Sequence, residues 1–182
     1  MEWLKSYGKI MCTKLHIKYC FLLLFSLLAT DCSISYKFNG ASINYDEIKT
    51  ITIRNFPNQA QLVYPELESI FMDKLRNRYI QQTRLKLVDN NGDIQLEGEI
   101  VGYDIAPTAV QADGFSSKTK LTITIRCRFT NRVKPEEDFE QTFSSFFEFD
   151  ASRLLTDVQY ELSQDITTEI SDMIFNATVA NW

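Results

Sequence analysis

The sequence predicts a two-layer α+β sandwich in which two helices pack on one face of a four- or five-stranded, mainly antiparallel sheet. Two kinds of hydrophobic pattern lead to this prediction. Several segments alternate apolar and polar residues, which is typical of strands with one buried face, and two segments place apolar residues at helical spacing. The order is strand, helix, three or four antiparallel strands and helix, so both helices can cover one face of a single sheet.

The first strand and the first helix are predicted from patterns early in the domain. Residues 50–56, TITIRNF, alternate and place Ile51 and Ile53 on one face. Pro65 suits the first turn of a helix, and the glutamates that follow it lie near the positive end of the helix dipole. The apolar residues of this helix share one face, which we expect to be core. They are Leu67, Ile70, Phe71, Leu75 and Tyr79.

A β-hairpin is predicted at Asn91-Gly92, because this dipeptide is the strongest short-range signal for a tight turn between two strands. The flanking strands would be RLKLV and a longer segment at about residues 94–105. Residues 107–117, PTAVQADGFSS, show no clear pattern, and we expect them to form a long loop in which binding can occur. The core face of the second strand holds Ile94, Leu96 and Ile100.

The clearest strand covers residues 118–132, KTKLTITIRCRFTNR. One set of alternate residues is apolar and includes Cys127, which we expect to be a buried free thiol that packs as a small hydrophobe. The last strand carries phenylalanines on one side, and residues 156–176 are predicted to form a C-terminal helix. The predicted core residues of these elements are Leu121, Ile123, Ile125, Cys127, Phe129, Phe139, Phe143, Phe147, Phe149, Val158, Leu162, Ile166, Ile170 and Ile174.

The composition argues against several classes of function. The chain has 19 basic and 24 acidic residues, and without residues 1–31 there remain 15 basic and 22 acidic residues, a net charge of −7. A domain this acidic is not expected to bind nucleic acid. The one histidine, His16, lies in the N-terminal segment, which leaves the domain without Ser-His-Asp or Cys-His catalysis and without a histidine metal site. We therefore expect no enzyme, no metal and no cofactor.

The N-terminal segment predicts a signal peptide over residues 1–31. Lys14, His16 and Lys18 precede the apolar run YCFLLLFSLLAT, which is too short for a comfortable membrane span. Met11 is an alternative start of translation. The competing interpretation is a buried strand or helix of a cytosolic fold, which the lack of polar alternation in this run disfavours.

Cys32 is the predicted site of lipidation. Ala29 and Thr30, followed by Cys32, resemble a bacterial lipobox, in which the cysteine thiol is acylated and the chain is cut just before it. Asp31 departs from that pattern, which has a small neutral residue at this position, and a carboxylate is costly to desolvate. The predicted organisation is a signal peptide at 1–31, a lipidated cysteine and polar tether at 32–49, and a single α+β domain at 50–182.

Four stretches of the chain resemble the LptE-like lipoproteins of Bacteroidetes-type bacteria. They are CSISYKFNGASI, ITIRNFPNQA, LEGEIVGYDIAP and IFNATVANW, and in this order they span nearly all of residues 32–182. The resemblance implies a lipid-anchored protein of the outer membrane that faces the periplasm and the lumen of a β-barrel. It also implies a plug and assembly partner of the barrel LptD, which inserts lipopolysaccharide into the outer leaflet. The alternative is a generic periplasmic ligand-binding lipoprotein unrelated to lipopolysaccharide transport.

A row of cations in residues 118–132 is the candidate contact surface, and we call it the basic row. Its members share strand parity and should project from the sheet face opposite the helices. Given the resemblance, they would contact phosphates of lipopolysaccharide or acidic residues inside the barrel. The alternative is a solvated face, partly neutralised by Glu97 and Glu99 on a neighbouring strand. The basic row consists of Lys118, Lys120, Arg126, Arg128 and Arg132.

Overall fold

The computed structural model describes residues 43–110 and 116–179, so Cys32 and the predicted signal peptide lie outside the described residues. The predicted α+β architecture is confirmed, with two helices packed against one five-stranded sheet. Within the described ranges, neither helix is long and apolar enough to cross a membrane. In chain order the elements are β1 (Thr50–Ile53), α1 (Leu67–Gln82), β2 (Lys86–Leu87), β3 (Ile94–Val110), β4 (Ser116–Asn131), a 3-10 turn (Pro135–Glu137), β5 (Phe139–Asp150) and α2 (Leu155–Thr178).

The sheet is mixed, with the strand order β2-β1-β3-β4-β5. The long strands β3, β4 and β5 pair in antiparallel fashion, whereas β1 pairs in parallel with both β2 and β3. The pairing of β4 with β5 runs without a register shift from Lys118–Asp150 to Phe129–Phe139. The three antiparallel strands therefore make up most of the sheet, and the two short parallel strands extend it on one side.

The core lies between the helices and the sheet, and the hydrophobic patterns predicted it well. The expected apolar residues of α1, β4 and α2 are all buried. On β5, Phe143 and Phe149 are buried, but Phe139 and Phe147 are only partly buried because β5 is an edge strand. Burying a side chain such as Ile166 or Phe71 contributes roughly 1.5–3 kcal/mol, so these matched faces hold the two layers together.

The hairpin predicted at Asn91-Gly92 is wrong, because β1 lies between β2 and β3. Residues 88–93 instead cross over β1, and the Gly92 N–H donates to Thr52 Oγ1 at 3.0 Å. A Cβ at Gly92 would lie 2.6 Å from the Thr52 backbone nitrogen, so only glycine permits this approach. Asn91 has a positive φ of 59°, a conformation that asparagine tolerates. The dipeptide thus provides the turn geometry of a crossover between parallel strands.

The long loop predicted at residues 107–117 is also wrong, because most of it is strand. β3 continues to Val110 and β4 begins at Ser116, while residues 111–115 lie outside the described ranges. The register between the two strands shifts near Pro107 and Ala109. Such irregularities let a strand continue past residues that fit a regular ladder poorly.

Both helices run in the same direction, so their C-terminal ends lie at one end of the domain and their N-terminal ends at the other. α2 has 24 residues and is therefore roughly 36 Å long. Near its C-terminus, Ala177 and Thr178 line a cavity of about 270 Å³ together with Ile43 and Ile48, and we call this the proximal end. Residues 43–48, which we expected in the tether, thus pack on the domain. The N-terminal ends of both helices form the opposite, distal end, where Tyr160 and Glu66 line the same surface cleft.

Candidate functional site

The sheet face opposite the helices, which we call the open face, carries rows of charged side chains from three adjacent strands. Glu97 of β3, Arg128 of β4 and Glu140 of β5 are direct cross-strand neighbours. In the next row, Glu99 of β3 lies opposite Arg126 of β4. Direct neighbours on one face have Cβ atoms about 4.5–5.5 Å apart, so charged side chains in one row can pair.

Arg128 is held between two carboxylates. Its Nε and Nη2 atoms donate to Glu140 Oε2 at 2.9 and 2.7 Å, and its Nη1 atom donates to Glu97 Oε1 at 3.3 Å. The hydrogen bonds with Glu140 raise the pKa of the guanidinium above its usual value. Two N–H groups of the guanidinium thus converge on a single carboxylate oxygen in charge-assisted hydrogen bonds. The guanidinium is nevertheless solvent-exposed, with 58% of the side-chain surface accessible.

Arg126 makes a simpler contact and keeps spare hydrogen-bonding capacity. Its Nη1 atom donates to Glu99 Oε1 at 2.7 Å, and the side chain is 48% exposed. Arginine has five N–H donors, and most of those of Arg126 form no bond with other described residues. Arg54 lies near the same site, with its Nε atom 3.8 Å from Glu97 Oε2.

These side chains surround a shallow depression of about 310 Å³ on the open face. Three arginines and three glutamates line it, so their formal charges cancel. The basic row is therefore not a field of unpaired cations. Arg126 and Arg128 form part of a surface on which positive and negative side chains alternate and balance. The six charged residues are Arg54, Arg126, Arg128, Glu97, Glu99 and Glu140.

The two lysines of the basic row lie further along the open face, towards the distal end. The Nζ atom of Lys118 is 3.3 Å from Glu148 Oε2. The Nζ atom of Lys120 lies 4.8 Å from the centroid of the Phe146 ring, which is a cation–π contact. Phe146 is half-exposed, so this part of the open face is both apolar and cationic.

Arg132 does not join the other four members of the basic row. It follows the last residue of β4, its backbone N–H donates to the Asp93 carbonyl at 2.9 Å, and its Nη2 atom donates to Asn91 Oδ1 at 3.2 Å. Arg132 is thus bonded to the crossover between β2 and β3. Strand parity alone placed it with the row, because the pattern did not indicate where the strand ends.

Sequence reasoning identified Glu97 and Glu99 as neutralising groups but missed Glu140, Glu148 and Arg54. The missing information is the register between β4 and β5, which brings Glu140 directly opposite Arg128. A partial signal was present, because Glu140 and Glu148 share strand parity on the last strand, as the cations do on the preceding one. These parities predict that the carboxylates and the cations share one face, and the register decides which of them pair.

The remaining reactive groups of the described residues offer little covalent chemistry. Burial raises the pKa of the Cys127 thiol to about 12, so the predicted buried free thiol is confirmed and is a poor nucleophile. Burial also raises the pKa of Tyr103 to about 12. Within residues 43–110 and 116–179, no cluster of three or more His, Cys, Asp or Glu side chains is placed to hold a metal ion.

Solved structures of bacterial lipoproteins match the chain at low identity. A minor lipoprotein from Acinetobacter baumannii is 12% identical, and the match covers 74% of this chain and 94% of that one at a TM-score of 0.47. Rare lipoprotein B from Shewanella oneidensis is 13% identical, with coverage of 71% and 95% and a TM-score of 0.46. Lipoprotein B from Nitrosomonas europaea is 15% identical, with coverage of 74% and 84% and a TM-score of 0.49. No curated protein matches the chain.

The fold defines the class of the protein as a small α+β domain, and its open face carries charged side chains of both signs in cross-strand rows. A family model described as LptE, lipopolysaccharide-assembly, matches residues 48–178, which is well over half of the chain. The chain belongs to the LptE family of lipopolysaccharide-assembly proteins.

Proposed function

We propose that this protein is a lipid-anchored component of the outer membrane that plugs the lipopolysaccharide-transport β-barrel LptD, helps that barrel to assemble and aids insertion of lipopolysaccharide into the outer leaflet. The observation that carries the proposal is the family match over residues 48–178, which covers nearly the whole described domain. The role is one of binding and assembly, without catalysis.

Attachment to the membrane is proposed to occur through acylated Cys32. Ile43, at the proximal end, follows Cys32 by eleven residues, a length of chain that reaches at most about 40 Å. An anchor of several acyl chains holds a protein firmly, whereas a single chain holds it only marginally. The proximal end would then stay near the membrane, and the open face and the distal end would be free to contact the barrel and its substrate.

The open face is proposed to contact phosphates of lipopolysaccharide or carboxylates of the barrel lumen. The ion pairs seen on this face do not prevent such contact, because exposed pairs contribute only about 0–1 kcal/mol. An incoming phosphate can replace Glu99 at Arg126, or bind the unused donors of that guanidinium, at little cost. The carboxylates keep the face neutral and ordered until a partner arrives.

The test is a double charge reversal, Arg126→Glu with Arg128→Glu. Both side chains are exposed, so the fold should survive, as circular dichroism can verify. We expect co-purification with the barrel or binding of lipopolysaccharide to weaken by about tenfold or more, since hydrogen bonds to charged groups contribute roughly 1.5–3 kcal/mol. If the folded variant retains both interactions at natural strength, the open face is only a solvated surface.

A charge swap, Glu99→Arg with Arg126→Glu, provides the matched control. It preserves the net charge and allows the same cross-strand pair to form, because the two positions lie directly opposite each other. Its stability should therefore match that of the natural chain to within about 0.5 kcal/mol. A partner that contacts Arg126 specifically will bind this variant less well than the natural chain. A partner attracted only by the overall charge will bind both proteins equally.

A further inference from the structure

β5 forms one edge of the sheet, so only one side of its backbone is paired. The strand has 12 residues, Phe139–Asp150, and its pairing with β4 continues through all of them without a register shift. Alternate N–H and C=O groups of such a strand point away from its neighbour. Among the described residues, no loop forms a backbone hydrogen bond with β5 between Phe139 and Phe149.

Natural proteins usually protect an edge of this length against pairing with a further strand. β5 contains no proline, lysine or arginine and has no bulge, and its only charged side chains are the carboxylates Glu140, Glu148 and Asp150. The opposite edge, β2, is protected by being only two residues long. Phe146 lies on β5 with 52% of its surface exposed, which adds apolar area beside the free edge. A regular edge of this kind is a template for strand addition, and its carboxylates restrict the added strand to one that carries cations.

The side chains on the open face of β5 indicate what an added strand would carry. Glu140 and Glu148 lie eight residues apart, and each of them forms an ion pair with a cation of β4. Arg128 bonds Oε2 of Glu140, and Lys118 lies beside Oε2 of Glu148. Because a carboxylate accepts hydrogen bonds at both oxygens, each glutamate can also receive a cation from the other side.

We propose that the free edge of β5 binds an extended strand of a partner protein in antiparallel orientation. This strand carries a cation opposite Glu148, an apolar side chain two residues further on, opposite Phe146, and a second cation opposite Glu140. β4 shows that the cations of this pattern fit β5, because Lys120 lies opposite Glu148 and Arg128 lies opposite Glu140 and bonds it. The proposal goes beyond lipopolysaccharide binding and does not require it.

The test uses the full-length lipoprotein in detergent and a labelled nine-residue peptide. The peptide has valine at even positions and arginine, leucine, threonine, threonine and arginine at odd positions, so that its arginines meet both glutamates. Binding is measured by fluorescence anisotropy and located by amide hydrogen exchange. We expect saturable binding, with slower exchange of the outward-facing amides of residues 139–149 and unchanged exchange in β2.

Three controls separate strand addition from nonspecific attraction. A peptide with glutamate in place of both arginines should bind at least about tenfold more weakly, because it loses two cross-strand ion pairs. A peptide with methyl groups on alternate backbone amides should weaken at least as much, because it loses its backbone hydrogen bonds to β5. The variant Glu140→Gln with Glu148→Gln should weaken the arginine peptide to a similar degree. Equal binding of either control peptide, or protection that avoids β5, overturns the proposal. Concentration-dependent protection of β5 without peptide would overturn it in favour of a second copy of this chain.

Discussion

Replacing Gly98 by alanine should destabilise the domain beneath the candidate site. A Cβ at Gly98 would lie 2.1 Å from the Arg126 carbonyl oxygen and 2.6 Å from Cε1 of the buried Phe56 ring. Ordinary contact begins at 3.4 Å, so the methyl group would need 1.3 Å more space on one side and 0.8 Å more on the other. Overpacking costs about 1–3 kcal/mol, and moving the backbone of β4 places this substitution at the upper end.

Alanine also restricts the unfolded chain more than glycine does, which recovers about 0.5–1 kcal/mol. We therefore expect Gly98→Ala to lower the free energy of unfolding by about 2 kcal/mol or more in urea titrations followed by circular dichroism. Gly102→Ala is the matched control, because its Cβ would meet only side-chain atoms, at 3.0 Å or more, and should cost under about 1 kcal/mol. Equal urea midpoints for Gly98→Ala and the natural chain would refute the close approach of β4 and Phe56 at this position.

Three further predictions concern single residues. Cys127→Ala should cost about 1 kcal/mol through a small cavity, and the native thiol should react slowly with alkylating reagents; rapid labelling would contradict its burial. Hydrogen bonds from Lys49 and Thr50 lower the pKa of Asp93 below its ordinary 3.8. The ionised carboxylate therefore contributes to the free energy of unfolding above pH 3.8, and this contribution is lost as the pH falls through the lowered pKa. Asp93→Ala should cost about 1–3 kcal/mol at neutral pH, and its stability should approach that of the natural chain only once the pH falls below the lowered pKa of Asp93; a difference that persists in stronger acid would exclude the carboxylate as its source. Intact-mass analysis of the membrane-extracted protein should find an acylated chain that begins at Cys32, whereas cleavage elsewhere or a missing acyl mass would implicate Asp31.

Periodicity predicted the elements whose two faces differ strongly. β4 alternates from Leu121 to Phe129 between fully buried apolar residues and exposed or half-exposed polar ones, and α2 buries residues at helical spacing throughout. In both elements the local pattern and the tertiary environment agree, because one side packs on the core and the other meets solvent. The fold class follows from such elements without knowledge of their exact pairing.

The errors arose where structure depends on residues distant in sequence. Asn91-Gly92 indicates a turn, but Thr52, forty positions away, accepts a hydrogen bond from Gly92 and makes the turn a crossover. Strand pairing likewise carries β3 past Pro107, which in isolation indicates a loop. The ion pairs of the candidate site also depend on residues that are distant in sequence. Parity placed the cations on one face, but only the register with β5 shows that Glu140 binds Arg128.

The position of β1 has a mechanical consequence for a pull on the chain from the N-terminal side of the domain. A load applied through residues 43–49 reaches β1 first, and β1 is an interior strand bonded to β2 on one side and β3 on the other. It cannot be peeled from an edge one bond at a time. The Asp93 carboxylate strengthens the attachment of the chain where the load enters β1, because it accepts hydrogen bonds from the backbone N–H groups of Lys49 and Thr50 at 2.9 Å each. A pull from the N-terminal side is thus passed to the centre of the sheet, where two neighbouring strands resist it together.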